Sequence, residues 1–300
     1  GVGVVTPGGQ LLTGLEFPTN PTDQAAIDAT VAAVYRDLAH YNIAAIGLAA
    51  AGFVRSDRAT VRFGTNLPWR DYPLRDRIAA LIGQPCPIVV ENDANAAGWA
   101  EFRFGAGRGV DNLVVCTLGT GVGGATIVHG TLLRGSDGSA GELGHIRLVP
   151  DGLECTCGQR GCLEQYGSGR ALVRAAKLAA QQEPAAAAAI LAYAGGVVEQ
   201  IDGPHVTAAA RAGDPLACRL IADLGRWLGI GAASIAAVLD PQMFIIGGGV
   251  CAAGELIIEP MREAFAGHVP AGVNRTMPSF EVAALGSNAG IIGAADLARS

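Results

Sequence analysis

A histidine and three cysteines, spaced His145-x9-Cys155-x-Cys157-x4-Cys162, constrain this chain more tightly than any other stretch of its sequence. One imidazole and three thiolates match, in type and number, the ligands of a closed tetrahedral zinc site. Gly158 and Gly161 let so short a loop reverse around an ion. No ligand position is left open for water, so the spacing predicts a structural zinc and not a hydrolytic one. The chain has seven cysteines, an odd number with three crowded into this loop. That usage suits a reducing compartment, with the cytoplasm the simplest address, better than a disulfide framework.

Around the loop, strand and helix patterns alternate. Residues 1–5 and 11–17 flank the turn Thr6-Pro7-Gly8-Gly9 and read as a β-hairpin. Thr22 is positioned to cap a helix over 23–41, in which Ile27, Val31, Val34 and Leu38 recur at helical spacing; an apolar strand follows to Gly47 or beyond. Residues 53–63 form a second hairpin across Ser56-Asp57-Arg58, then a helix near 74–82 and a strand over 88–90. From Leu113 the theme restarts, with a strand to Leu118, a Gly-rich turn and a second strand through 125–128. Beyond Cys162 the pattern is mostly helical and includes a long apolar helix over 215–239. A strand over 243–246, a strand over 280–285 and a helix over 288–298 complete the chain. This order predicts an α/β fold with largely parallel pairing in each of two related halves.

An apolar fraction of 50 % against 16 % charge allows a sizeable core, and the net charge of −6 is spread along the chain. Electrostatic capture of nucleic acid or of an anionic membrane is therefore not expected. The uncharged stretch 112–133 is broken by Gly and Thr, and the apolar run 185–198 is too short to cross a bilayer, so no membrane span is read. No leader pattern opens the chain, which also lacks an initiator Met.

Three loops carry candidate chemistry. Leu118-Gly119-Thr120-Gly121-Val122-Gly123-Gly124 lies between two strands; its backbone N–H groups and the Thr120 hydroxyl suit phosphate, although a tight hairpin alone would use the same glycines. Gly247-Gly248-Gly249 follows an apolar strand and opens a helix, which admits a nucleotide or reflects helix–strand packing. Glu91-Asn92-Asp93 closes a buried strand, where Asp93 either accepts the proton of an attacking hydroxyl or caps the helix from Ala94.

Taken together, these motifs resemble the ROK (repressor, open reading frame, kinase) family, its glucose kinases in particular. The resemblance runs almost from end to end and is most specific in Gly144-His145 and Cys155-Thr156-Cys157-Gly158-Gln159-Arg160-Gly161-Cys162-Leu163-Glu164. It implies the two-domain ribonuclease H-like fold of actin and hexokinase, with sugar and ATP meeting in an interdomain cleft. A smaller domain over 1–104, with the C-terminal helix 288–300 packing on it, and a larger one over 105–287 follow from that fold. The resemblance further implies an ATP-dependent hexokinase with Asp93 as catalytic base toward the 6-hydroxyl of glucose. Asn66, Asn92, Glu142, His145 and Glu164 become sugar contacts, with His145 serving zinc and sugar through its two ring nitrogens. Gly119, Thr120, Gly121 and Gly123 become a phosphate loop and Gly247, Gly248 and Gly249 the adenosine motif, with Mg²⁺ accompanying ATP. Homodimers or homotetramers are the implied assemblies. Family members open with a strand and an Asp-x-Gly-Gly-Thr phosphate loop, and no such sequence precedes Gly1 here; its omission from the recorded chain is the expectation. Other hexoses or N-acetylhexosamines as substrate, polyphosphate as donor, and the family's sugar-responsive repressors are the alternatives.

Overall fold

The computed structural model describes residues 1–17, 23–64, 67–83 and 86–299, without the side chain of Val273. In chain order its elements begin with β1 (Val2–Val5), β2 (Leu11–Leu15), α1 (Gln24–Leu38), β3 (Ile46–Ala50), β4 (Gly52–Val54), β5 (Val61–Gly64), β6 (Arg70–Tyr72), α2 (Leu74–Ile82), β7 (Ile88–Asn92) and α3 (Asp93–Phe104). There follow β8 (Leu113–Leu118), β9 (Val122–Val128), β10 (Thr131–Leu132), α4 (Glu164–Gly167), α5 (Gly169–Gln182), α6 (Ala188–Tyr193), α7 (Gly203–Arg211) and α8 (Pro215–Leu239). The chain closes with β11 (Met243–Gly247), α9 (Glu255–His268), β12 (Ser279–Val282) and α10 (Ala289–Leu297). Thr22 lies outside the described residues; α1 is capped by Asp23, whose carboxylate accepts from the Ala26 N–H at 2.9 Å.

Two compact units result. The first comprises Gly1–Asp111, Ala125–Gly141 and Ala284–Ser300, the second Asn112–Gly124 and Glu142–Ala283. These units differ from a single division after residue 104 at 105–111, 125–141 and 284–287, which fold with the first unit. The later segment is tied there by charge: Arg134 Nε donates to Glu91 Oε2 at 2.8 Å, and Arg62 pairs with Asp137 at 2.5 Å.

In the first unit, β1 and β2 pair antiparallel, β3 and β7 pair parallel with Ile46 opposite Ile88, and β4, β5 and β6 form an antiparallel meander. Val54, Val61, Trp69, Leu74, Ile78, Ile88 and Val90 are buried together beneath α2 and these strands. Helix α10 packs against α3, β1 and β3. Its buried Asp296 accepts from Trp99 Nε1 at 2.8 Å and from Arg103 Nε at 3.3 Å, satisfying a carboxylate that burial would otherwise penalise. Glu101 of α3 does the same for backbone, accepting the N–H groups of Ala106, Ala284 and Leu285 at 3.0, 3.0 and 2.8 Å.

The second unit is built on parallel strands, with β11 between β8 and β12 and Phe244 in register with Val114 and Phe280. β8 and β11 are largely apolar and buried, as central parallel strands require, whereas the edge strand β12 exposes Ser279, Glu281 and Val282. Phe244, Phe265 and Phe280 meet with ring centroids 5.2–5.9 Å apart. Helix α8 is long and apolar enough to cross a membrane by length and composition, at a mean hydropathy of 1.3. It is nevertheless a core helix: Leu216, Ile221, Leu224, Leu228 and Ile235 are buried, and it packs on α9, α7, α5 and α4.

Candidate active site and metal centre

The ends of β8 and β11 lie side by side in the second unit. After Leu118 the turn Gly119-Thr120-Gly121 closes with Gly119 N–H donating to the Gly121 carbonyl at 3.0 Å, and the chain returns as β9. A side chain at Gly121 would place its Cβ 2.2 Å from Glu164 Oε2, so glycine is what lets the Glu164 carboxylate reach the turn and accept the Val122 N–H at 3.2 Å. Gly248 has φ of +92° and lies where a Cβ would stand 2.2 Å from the Leu118 carbonyl oxygen, which pins the two strand ends together. The triple glycine does not open an α-helix directly, as its sequence suggested; a short 3-10 turn over Gly249–Ala253 intervenes and α9 begins at Glu255.

Beside these ends lies a cavity of about 530 Å³, within the range of small-molecule sites. Gly119, Thr120 and Gly249 line it, so the structure brings the two glycine motifs to one place. Gly121, Gly123, Gly247 and Gly248 are not among its lining residues; Gly121 instead makes room for the Glu164 carboxylate and Gly248 for the close approach of the Leu118 carbonyl. Other lining residues were missed in the sequence: Arg170 from α5 and Asp202, Thr207 and Arg211 from α7 and its cap. Asp202 and His205 form a capping box, and that signal reads as a helix start and nothing more.

The metal loop is in the same unit. A 3-10 turn over Leu143–His145 presents the histidine, and antiparallel bridges Arg147 to Cys162 and Glu154 to Arg160 fold the cysteines back onto it. Gly158 and Gly161 carry the positive φ values, 88° and 77°, that the reversal demands. The ligand atoms of His145, Cys155, Cys157 and Cys162 all lie within 4.8 Å of one another. Cys155 Sγ is 3.6 Å from His145 Nδ1, and Cys157 and Cys162 Sγ are 3.6 Å apart. A tetrahedral ion with bonds of about 2.3 Å to sulfur requires edges of roughly 3.7 Å, so three thiols and an imidazole nitrogen fit zinc. Burial pushes the Cys155 thiol up, but hydrogen bonds from Cys157 and Cys162 outweigh it and bring Cys155 down to about 7. Burial and the neighbouring thiols push Cys162 up to about 12. With Nδ1 facing the sulfurs, Nε2 of His145 is turned toward Glu142, 3.9 Å from its Oε2.

In the first unit, β7 delivers Asn92 and Asp93 to the head of α3. Asn92, not Asp93, is the helix cap: its Oδ1 accepts from Asn95 N–H at 2.9 Å while its Nδ2 donates to the Gly52 carbonyl at 3.0 Å. Each of these atoms keeps further hydrogen-bonding capacity. Asp93 is left at the first helical position, solvent-accessible, with Oδ1 accepting from Ala94 N–H at 2.9 Å. Although water reaches it, the protein around its carboxyl group raises the pKa above the ordinary carboxylate value by desolvation, against which the Ala94 N–H acts. Beneath it, Glu91 Oε1 accepts from Asn92 N–H at 3.2 Å and from Asn95 Nδ2 at 3.1 Å, so the loop carrying Asp93 is held at both flanks. Asn66 lies outside the described residues.

The model of the ROK family matches residues 2–300. The chain belongs to the ROK family. Among curated ROK proteins it is 46 % identical to the glucokinase of Streptomyces coelicolor over 297 residues, covering 99 % of this chain and 93 % of that one. Among solved structures, a ROK glucokinase from Streptomyces griseus in complex with glucose and AMPPNP is 48 % identical, covers 99 % of this chain and 95 % of its own, and superposes with a TM-score of 0.90. The ROK hexokinase of Thermus thermophilus, at 33 % identity and covering 99 % and 93 %, gives 0.77. The ROK chain described here therefore has the α/β fold of the actin and hexokinase type.

Proposed function

We propose that the chain is an ATP-dependent glucokinase that transfers the γ-phosphoryl group to the 6-hydroxyl of glucose. The observation that carries this reading is its likeness, at 48 % identity and a TM-score of 0.90, to a protein crystallised with glucose and AMPPNP. The cavity that joins Gly119 and Thr120 to Gly249 supports it, being of a size and lining suited to a nucleotide.

In this mechanism Asp93 accepts the proton of the attacking hydroxyl, its backbone held by Glu91 and the Asn92 cap. Asn66, Asn92, Glu142, His145 and Glu164 hydrogen-bond the sugar hydroxyls, each of which both donates and accepts. His145 Nδ1, with Cys155, Cys157 and Cys162, would hold zinc, which would leave Nε2 as a fixed donor beside Glu142. Mg²⁺, the expected companion of ATP, would supply positive charge against the phosphates. Gly119, Thr120, Gly121 and Gly123 serve the phosphates and Gly247, Gly248 and Gly249 the adenosine, directly or through the packing described above. The enzyme acts in the cytoplasm, as a homodimer or homotetramer.

The test is ATP-dependent phosphorylation across glucose, mannose, fructose and the N-acetylhexosamines. Turnover on glucose is expected, with Asp93→Ala lowering kcat by about 10² to 10⁴ while glucose still binds. Turnover confined to another sugar, or undiminished in the variant, would overturn the substrate or the base respectively.

A further inference from the structure

Glu164 and the cavity wall set up an electrostatic conflict. The Glu164 carboxylate is buried and sits on the turn 119–122, with Oε2 taken up by Val122 N–H at 3.2 Å. The same turn contributes Gly119 and Thr120 to the cavity. A polyanionic donor there would stand beside an acid whose burial limits screening, and like charges at such range repel strongly. One side chain stands at both places. Arg170 lines the cavity and brings Nη2 within 3.5 Å of Glu164 Oε1. It stands on α5, whose Gly169 N–H donates to the Gly119 carbonyl at 2.8 Å and so fixes the arginine against the turn. Its side chain is about half exposed, at 47 %, whereas that of Glu164 is 11 % exposed, so the guanidinium keeps donors beyond those aimed at the acid.

We propose that Arg170 is a positioning and donor-specificity residue that allows a sugar-binding acid and a phosphate donor to share one turn. Its guanidinium neutralises Glu164 on one side and offers its remaining N–H groups to donor phosphate oxygens on the other. The planar fork suits both tasks at once, which a lysine ammonium does less well. The proposal rests on the kinase reading for the identity of the donor.

The experiment measures AMPPNP binding by calorimetry on the intact protein, with Mg²⁺ present, for wild type, Arg170→Ala, Arg170→Lys, Glu164→Gln and the double variant Arg170→Ala with Glu164→Gln. Thermal melts confirm that each variant is folded. Arg170→Ala is expected to weaken AMPPNP roughly tenfold or more, with Arg170→Lys recovering part of the loss. The double variant is expected to bind AMPPNP more tightly than Arg170→Ala alone, because removing the acid removes the repulsion; a merely structural arginine would show no such recovery. Unchanged binding in Arg170→Ala, or a double variant no better than the single, would overturn the proposal. Wild-type glucose phosphorylation is run alongside: its absence with AMPPNP still bound would strike the glucokinase reading and leave the Arg170 result to stand by itself.

Discussion

At the scale of single residues, Asp93 was legible as a carboxylate at the end of a buried strand, but its capping alternative was not resolvable from sequence. Asn92 and Asp93 are both good caps, and only the observed hydrogen bond from Asn95 N–H to Asn92 assigns the cap to Asn92. Asp93 is thereby free for chemistry, in a setting that raises its pKa. A general base works only when deprotonated. Because the folded pKa is raised, kcat/KM should fall as pH drops through a value above the ordinary aspartate figure of about 3.9, declining tenfold per pH unit on that acid limb. A pH profile of kcat/KM for glucose at saturating ATP reads this directly. An acid limb at or below about pH 4 would place the controlling group elsewhere or show that desolvation does not govern Asp93.

Among elements, legibility followed the strength of the local pattern. Helices α2 and α8 were read at their observed bounds because apolar periodicity and flanking Pro or Gly mark both ends. Helices α5, α6 and α7 merged into one Ala-rich blur, since alanine carries no face. That blur concealed Asp202, Thr207 and Arg211, which line the cavity. The Cys/His loop lay at the other extreme, its four candidate ligands legible by spacing alone and brought within 4.8 Å of one another. Substituting Cys157 by Ser should therefore lower bound zinc below one per chain. It should also raise KM for glucose about 10- to 100-fold, because the zinc proposed at this cluster would orient His145, while AMPPNP affinity stays near wild type. Metal analysis beside steady-state kinetics tests this; full glucose affinity in zinc-free protein would separate the ion from the sugar contact.

For the whole molecule, what sequence order hides is that neither unit is one continuous piece of chain. Residues 1–104 look self-sufficient, with strands, helices and an apolar pattern of their own, yet the carboxylates of this stretch find partners far along the chain. Glu91 takes Arg134 at 2.8 Å, and Glu101 takes the N–H groups of Ala284 and Leu285. From α10, Asp296 returns to Trp99 and Arg103. Removing these partners would leave Glu91 and Glu101, 3 % and 1 % exposed, buried beside unmet charge. Breaking a buried pair on one side costs about 3–5 kcal/mol, against a total stability of roughly 5–15 kcal/mol for an ordinary domain. A fragment of residues 1–104 expressed alone should consequently lack a cooperative thermal transition and should expose its α3 face to hydrophobic dye. A sharp two-state melt of that fragment would show that the returning segments dock onto a unit already stable, and that Glu91 and Glu101 are satisfied from within it.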